Sequence, residues 1–339
     1  MFNLDAGTAI VNNENNKNRS KTIRNALKRK NSKHKDKRDK MSFLPSRDVP
    51  IYLLLAPAVL LLLIFHYVPI YGIIIAFQNY SPFKGILESD WVGFYHFKKF
   101  LTDVSFWRVM RNTIIINIYS LVFSFPAPII FALLLNEIDK IKFKKVVQTI
   151  SYLPYFISWV VTASIVISIL SPTTGIVNIA LNKLFGMEPI YFMAKKEYFR
   201  TILITTGIWK GIGMSSVYYI AAINGIDPTL YEAAIIDGAN RWRQTIHITL
   251  PGLSSIITVL LLLQIGSLVT IGFEQVFLLY NPLVYEVADV ISTYTYRLGL
   301  VESQFSLTTA IGFTQSIVNF SLLYVANRTA RKLAGWSMW

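Results

Sequence analysis

The strongest constraint on this chain is a set of six long stretches holding no charge or a single one. They are Val49 to Phe77, Asn112 to Asn136, Val146 to Leu170, Thr201 to Ile226, Ile248 to Phe273 and Phe305 to Asn327. A helix that rises about 1.5 Å per residue needs about 20 apolar residues to cross the hydrocarbon core of a bilayer. Backbone groups in lipid must be satisfied within the protein, and these runs lack the alternation of barrel strands, so helices are predicted. The expected fold is all-α and polytopic, with spans at about 49–77, 112–136, 150–170, 201–224, 252–273 and 305–327. Composition agrees: 53% of the 339 residues are hydrophobic and 15% charged, where soluble domains carry about 25% charged residues.

The charge that is present is unevenly placed. Residues 1–50 hold 13 Lys/Arg against 5 Asp/Glu, which is +8 of the net +14. The stretch from Lys17 to Lys40 has too few apolar groups to offset chain entropy, so residues 1–48 are expected to form a disordered basic tail. Such a run could bind nucleic acid, but on a polytopic protein anionic lipid headgroups are the simpler partner, and no nucleic acid is expected. About fifty residues precede the first apolar run, which lacks a small-residue cleavage site, so a cleaved signal peptide is not expected.

The positive-inside rule places the tail, and residues 137–149, 227–247 and 328–339, in the cytoplasm. Both termini are then cytoplasmic. Outside the tail the count is 9 Lys/Arg on inner segments and 10 on outer ones, so the orientation rests mostly on the tail. The outer segments are 79–111, 171–200 and 274–304. In the second, Ile176, Ile179, Ala180 and Leu184 repeat at helical spacing and predict a short interfacial helix. Within the spans, Pro57, Pro69, Pro126 and Pro128 are expected to bend the helices. Gly207, Gly211 and Gly213 are expected to permit close helix approach.

Chemistry for catalysis is missing. With no cysteine and four scattered histidines (His34, His66, His96, His247), no metal site is expected. No phosphate-binding Gly-x-x-x-x-Gly-Lys-Ser/Thr loop is present, so ATP would have to be hydrolysed by another chain. The outer acids Glu88, Asp90 and Asp103 have no catalytic spacing. No catalytic residue is assigned.

Residues 227–251 carry the most information. Asp227 is a good N-cap and Pro228 suits the first helical position. A helix to about Asp237 should stop at Gly238, which tolerates the left-handed conformation. A second helix, from Asn240 to about Ile248, should end before Pro251. The product is a helix-turn-helix elbow, with Leu230, Tyr231 and Ile235 for apolar contact and Glu232, Arg241 and Arg243 for charge. Small residues at Ala233, Ala234 and Ala239 would allow a neighbouring backbone to come close.

Glu232-Ala233-Ala234, then Asp237-Gly238-Ala239, then Ile248, Leu250 and Pro251 resemble the EAA loop of binding-protein-dependent ABC importer permeases. Where these permeases often have a bulky apolar residue, this chain has Thr245, with the bulk displaced to Ile246. Further segments are similar to sugar permeases: Lys144 to Tyr155 and Ile208 to Gly213. Gly272 to Pro282, Tyr294 to Arg297 and Ala326 to Arg328 resemble the LplB-type permeases for oligo- and polysaccharides. The resemblance spans about residues 45–339. It implies a type I, MetI-like permease of the bacterial cell membrane, paired with a second similar permease chain, two ATP-binding subunits and an extracytoplasmic solute-binding protein. ATP and Mg would be bound by the ATPase partner, with no cofactor in this chain. It also implies that Tyr231, Glu232, Ala233, Ala234, Asp237, Gly238 and Ala239, with Ile248, Leu250 and Pro251, form the coupling loop on which the ATPase docks.

Polar groups inside a span are costly and default to functional candidates. Trp209, Lys210, Tyr218, Tyr219, Gln264, Glu274 and Gln275 meet that standard as a substrate path, with a snorkelling lysine and structural hydrogen bonds as the alternative. A secondary transporter or channel remains the competing function. It would need intramembrane carboxylates for ion coupling, and only Glu274, at a boundary, is available.

Overall fold

The computed structural model describes residues 49–334; the expected basic tail, 1–48, lies outside them. The chain divides into a leading unit that ends at Tyr71 and a body that begins at Gly72. In the leading unit, α1 (Val49–Leu62) passes into a π-turn, Leu63–Tyr67, followed by a 3₁₀ stretch, Val68–Phe77, of which only residues 68–71 belong to that unit.

The body opens on a two-stranded antiparallel pair, β1 (Gln78–Asn79) with β2 (Asp90–Trp91), in which Gln78 faces Trp91. Next, α2 (Val104–Tyr119) leads through a π-turn, Ser120–Ser124, into α3 (Pro126–Asn136). After α4 (Ile141–Phe156) and α5 (Trp159–Ile169) comes the long α6 (Lys196–Ile223). The elbow comprises α7 (Pro228–Ile236) and α8 (Arg241–Gln244), and α9 (Ser254–Gly266), α10 (Phe273–Leu279) and α11 (Phe305–Ala334) complete the body. The predicted helix in the second outer segment is present as Ile176–Phe185 and exposes Ile176, Ile179 and Leu184.

Three helical stretches are long and apolar enough to cross a membrane: Pro50–Phe77, Val104–Asn136 and Phe305–Lys332. Two others are bent pairs, α4 with α5 at 102° and Arg241–Gly252 with α9 at 58°. The remaining expected span falls on α6, whose 28 residues are long enough but include Lys210, Ser215 and Ser216. The expected third span is therefore not one straight rod: it breaks at Ile157 and Ser158, where the backbone is extended and the Ser158 side chain caps α5.

Proline shapes several helices, by a consistent device. A proline ring strikes the carbonyl one turn back and has no N–H to offer. Before Pro69, Pro126 and Pro251 the preceding turn widens to π. The N–H groups of Val68, Phe125 and Leu250 then reach the carbonyls of Leu63, Ser120 and Thr245. Widening by one residue keeps the helix going where a break is otherwise expected. The stop expected before Pro251 is thus corrected, because the helix continues through Leu250–Gly252.

Helix α6 is the central post of the body and packs against α3 and α4. Its close approach to α4 depends on Gly213, where a β-carbon would lie 2.1 Å from the Ser151 carbonyl oxygen. Beside it, the buried Lys210 reaches the end of α4. Its ammonium donates to the carbonyls of Pro154 and Tyr155, each at 3.1 Å, and to that of Ile157. It also lies 5.2 Å from the centre of the Trp159 ring at the start of α5. The last carbonyls of a helix lack internal partners and carry partial negative charge, so a cation there is doubly favoured. Lys210 thus pins both sides of the bend.

Apolar packing on one side joins Ile116, Ala163, Phe199, Leu203, Val276 and Leu279. Towards the elbow, Ala132, Tyr219, Ile223 and Leu253 form a smaller cluster. The 274–304 segment is held to α2 by a polar network. Buried Asp289 pairs with Arg297 at 2.7 Å and accepts from the Thr293 hydroxyl at 2.8 Å. The Tyr294 hydroxyl donates to Asp103 at 2.6 Å. Asn112 donates to the carbonyls of Glu286 and Asp289.

Lys210→Met orphans the carbonyls at the bend and should cost about 2 kcal/mol or more, read as a lower melting midpoint in detergent; an unchanged midpoint would remove the pin. Asp289→Ala leaves Arg297 facing a buried gap and should cost roughly 3 to 5 kcal/mol. The double variant D289A/R297M should recover most of that loss, and failure to recover would place the cost elsewhere.

Candidate functional site

Between α2, α3, α6 and α9 the body encloses an open cavity with two lobes of about 380 and 290 Å³. Ser120, Ser124, Gly207, Gln264 and Ser267 line both lobes. Polar residues recur on one face of each helix because side chains three and four apart stack. On α6 that face runs through Leu203, Ile204, Gly207, Gly211 and Ser215 to Tyr218 and Tyr219.

Of the residues proposed for a substrate path, Tyr218, Tyr219 and Gln264 line the first lobe, and Gln264 and Gln275 line the second. Gln275 is anchored by donation to the Leu203 carbonyl at 2.7 Å. Trp209 and Glu274 are exposed and lie outside both linings. Lys210 faces the α4–α5 bend. The cavity also gathers Asn117, Ser120, Ser124, Ser267 and Thr270, none of which was singled out in the sequence. Isolated hydroxyls in apolar helices ordinarily bond their own backbone, as Ser267 does with Leu263 and Gln264, so nothing marks them in one dimension. Neither lining contains a carboxylate.

The second assembly is the elbow. Asp227 accepts from the Thr229 N–H at 2.9 Å and caps α7. This bond, together with the Thr229 hydroxyl, holds the exposed Asp227 carboxyl below the usual range. Asp237 closes α7, and Gly238 takes the left-handed conformation at φ +75°, which costs an L-residue about 1 to 2 kcal/mol. Asn240 then caps α8 by accepting from the Arg243 N–H at 2.9 Å.

Two ties stiffen the bend. The Tyr231 hydroxyl meets that of Thr249 at 2.9 Å, and Gln244 donates to the Ala239 carbonyl at 2.9 Å. Arg241 secures the elbow to the 137–140 loop: its guanidinium contacts both Asp139 oxygens, at 3.0 and 3.3 Å, and the Glu137 carbonyl at 3.2 Å. With these contacts made inward, Leu230, Ile235, Ile236 and Trp242 are left exposed, Ile236 at 85% and Trp242 at 71%. Glu232 and Ala233 are exposed beside them, and Ala234 is half-buried. Large apolar groups thus stand exposed on a braced support. Ile236 and Trp242 were not picked out from the sequence, since apolar residues in a helical run read equally well as core.

The elbow and the cavity are joined directly through the chain. Helix α6 lines the cavity over most of its length and runs directly into the elbow through residues 224–227. Thr249 and Leu253 lead from the elbow into α9, which forms another cavity wall. The elbow is thus continuous in the chain with two walls of the cavity.

Comparison with known proteins gives the family. Residues 125–335 match the family described as the binding-protein-dependent transport system inner membrane component. Protein LplB of Bacillus subtilis is 44% identical over 286 residues, covering 84% of this chain and 90% of LplB. The polygalacturonan/rhamnogalacturonan transport system permease protein YteP, also of Bacillus subtilis, is 44% identical over 298 residues, covering 88% and 92%. Among solved structures, a bacterial alginate ABC transporter in complex with an alginate pentasaccharide-bound periplasmic protein aligns with a TM-score of 0.79 and 41% identity, over 86% of this chain and 97% of that one. The chain belongs to the inner membrane components of binding-protein-dependent transport systems: it is a polytopic permease subunit of an ABC transporter, and not an enzyme.

Proposed function

We propose that this permease carries an oligo- or polysaccharide into the cytoplasm, driven by ATP hydrolysis on partner subunits. The observation that carries the reading is the direct joining of the exposed elbow, 227–251, to two walls of a cavity lined by tyrosines, glutamines and hydroxyls. Aromatic faces with a few convergent hydrogen-bonding groups suit sugars. Support comes from relatives whose names specify polygalacturonan, rhamnogalacturonan and arabinooligosaccharides, and from the alginate transporter.

In this reading the six helical stretches span the membrane with both termini in the cytoplasm. Two ATP-binding subunits, which hold ATP and Mg, dock on the elbow. A second permease chain completes the pathway, and an extracytoplasmic solute-binding protein delivers the sugar. Leu230, Ile235, Ile236 and Trp242 supply the apolar docking contact, and Glu232 and the small residues Ala233 and Ala234 set how closely the ATPase approaches. ATP-driven closure of the ATPase pair then moves α6 and α9 together. The absence of a carboxylate from the cavity lining speaks against ion-coupled transport.

Gly238→Pro removes the left-handed residue and the N–H that reaches the Ile235 carbonyl at 3.0 Å; Glu232→Lys reverses an exposed charge on the docking face. In proteoliposomes holding the assembled importer, both should abolish sugar uptake while ATP hydrolysis continues and the protein stays in the membrane. Wild-type uptake by both variants would rule out docking through the elbow. If no ATP-binding subunit copurifies in mild detergent, the importer reading itself fails.

A further inference from the structure

Between the end of α9 and the start of α10 the chain is not helical: residues 267–272 run as turn and extended backbone within the expected fifth span. Unwound backbone at membrane depth is tolerated only where protein buries it or where it borders a water-filled cavity. Ser267, Thr270, Ile271 and Gly272 line the second lobe. Amide side chains from other helices hold the break. Helix α11 supplies Gln315 and Asn319, one turn apart, and α2 supplies Asn117.

Val269 fixes which way both α11 amides point. Its N–H donates to Asn319 Oδ1 at 3.1 Å, and its carbonyl accepts from Gln315 Nε2. An N–H only donates and a carbonyl only accepts, so the oxygen and nitrogen of neither amide can be exchanged. The remaining donors converge on one atom. Asn319 Nδ2 reaches Thr270 Oγ1 at 2.8 Å, and Gln315 Nε2 reaches the same oxygen at 3.2 Å. Asn117 adds a donation to the Thr270 carbonyl at 3.4 Å.

A hydroxyl has two acceptor lone pairs and one hydrogen. Both lone pairs of Thr270 are taken by the amides, so its hydrogen is directed away from them. Helical threonines return that hydrogen to their own backbone, as Thr258 and Thr314 do. Thr270 has no such acceptor among the described residues, and it is exposed on the lobe wall. The next two residues share this character. The N–H groups of Ile271 and Gly272 have no partner among the described residues, although backbone donors away from bulk water are ordinarily paired. A β-carbon at Gly272 would meet nothing within 4 Å, so the space before it is open.

We infer that the Thr270 hydroxyl is a solute-contacting donor, aimed into the cavity by Gln315 and Asn319 as positioning residues, and that with the Ile271 and Gly272 N–H groups it binds acceptor oxygens of the solute. Hydroxyl, ring and glycosidic oxygens of a sugar have this chemistry. The inference rests on the carbohydrate reading above and gives the cavity its donor surface. The two amides do not touch the solute. By saturating one oxygen they turn a hydroxyl that could accept or donate into one that only donates.

The test uses the complete importer in proteoliposomes, with trigalacturonate and arabinotriose as probes. Thr270→Val should raise KM for the transported probe about tenfold, the loss of one hydrogen bond worth about 1.4 kcal/mol, while Thr270→Ser stays within about twofold of the wild type. Gln315→Leu and Asn319→Leu should each raise KM about threefold. In the Thr270→Val background they should add almost nothing, because no hydroxyl is left to aim. Fully additive losses would mean that the amides only support the fold, and would overturn the positioning role. An unchanged KM in Thr270→Val would overturn the contact and leave the carbohydrate reading intact. A second measurement is independent of transport. The chain has no cysteine, so Thr270→Cys gives it a single thiol, which a charged methanethiosulfonate should modify and a saturating probe should protect. A thiol left unmodified, or modified equally with and without a transported probe, would sink the contact. Should an ATP-hydrolysing wild-type complex carry neither probe, with the thiol modified but protected by neither, the carbohydrate reading fails and the contact with it.

Discussion

A chain in lipid must satisfy every backbone donor and acceptor from within, and this one is built around the places where doing so is hardest. Prolines at 69, 126 and 251 each remove a donor, and each is preceded by a π-turn that lets the helix continue with one residue more per turn. Where continuity does break, between α4 and α5, the loose carbonyls are collected by the ammonium of Lys210. The turn before Pro126 gives Ser120 and Ser124 to the cavity lining, and the turn before Pro251 lies in the elbow.

From that constraint follows the central position of α6. It lines the cavity, grips the α4–α5 bend through Lys210, approaches α4 at Gly213, and ends in the elbow. Arg200 lies near one end of α6 and the other end leads to Asp227, so one helix runs past the cavity and into the elbow. The charge on Lys210 is therefore tied to backbone carbonyls, whereas that on Arg200 is held by the Asn112 side chain.

Legibility in the sequence followed how local each interaction is. The elbow was almost wholly readable, because caps, a left-handed glycine and a short helix are settled within a few residues: Asp227, Gly238 and Asn240 behave as their side chains dictate. Its end was misread, since proline at 251 signals a stop by propensity and only the widened turn shows how the helix passes it. The substrate-path residues divided by face. Tyr218, Tyr219, Gln264 and Gln275 reach the cavity, while Trp209 and Glu274 point elsewhere, a matter of helix rotation that a single sequence does not disclose.

The sequence by itself determined what each segment had to be: apolar runs of bilayer length become helices, and the 227–251 pattern becomes an elbow, because hydrophobicity and capping act over one or a few turns. Only the tertiary structure decided which partners the polar groups meet. Lys210 and Arg200 sit ten residues apart on one helix, both cations in a weakly polar setting. One meets the bare end of α4 and the other meets Asn112, and that difference arises from partners distant in the chain, brought together only when the helices pack.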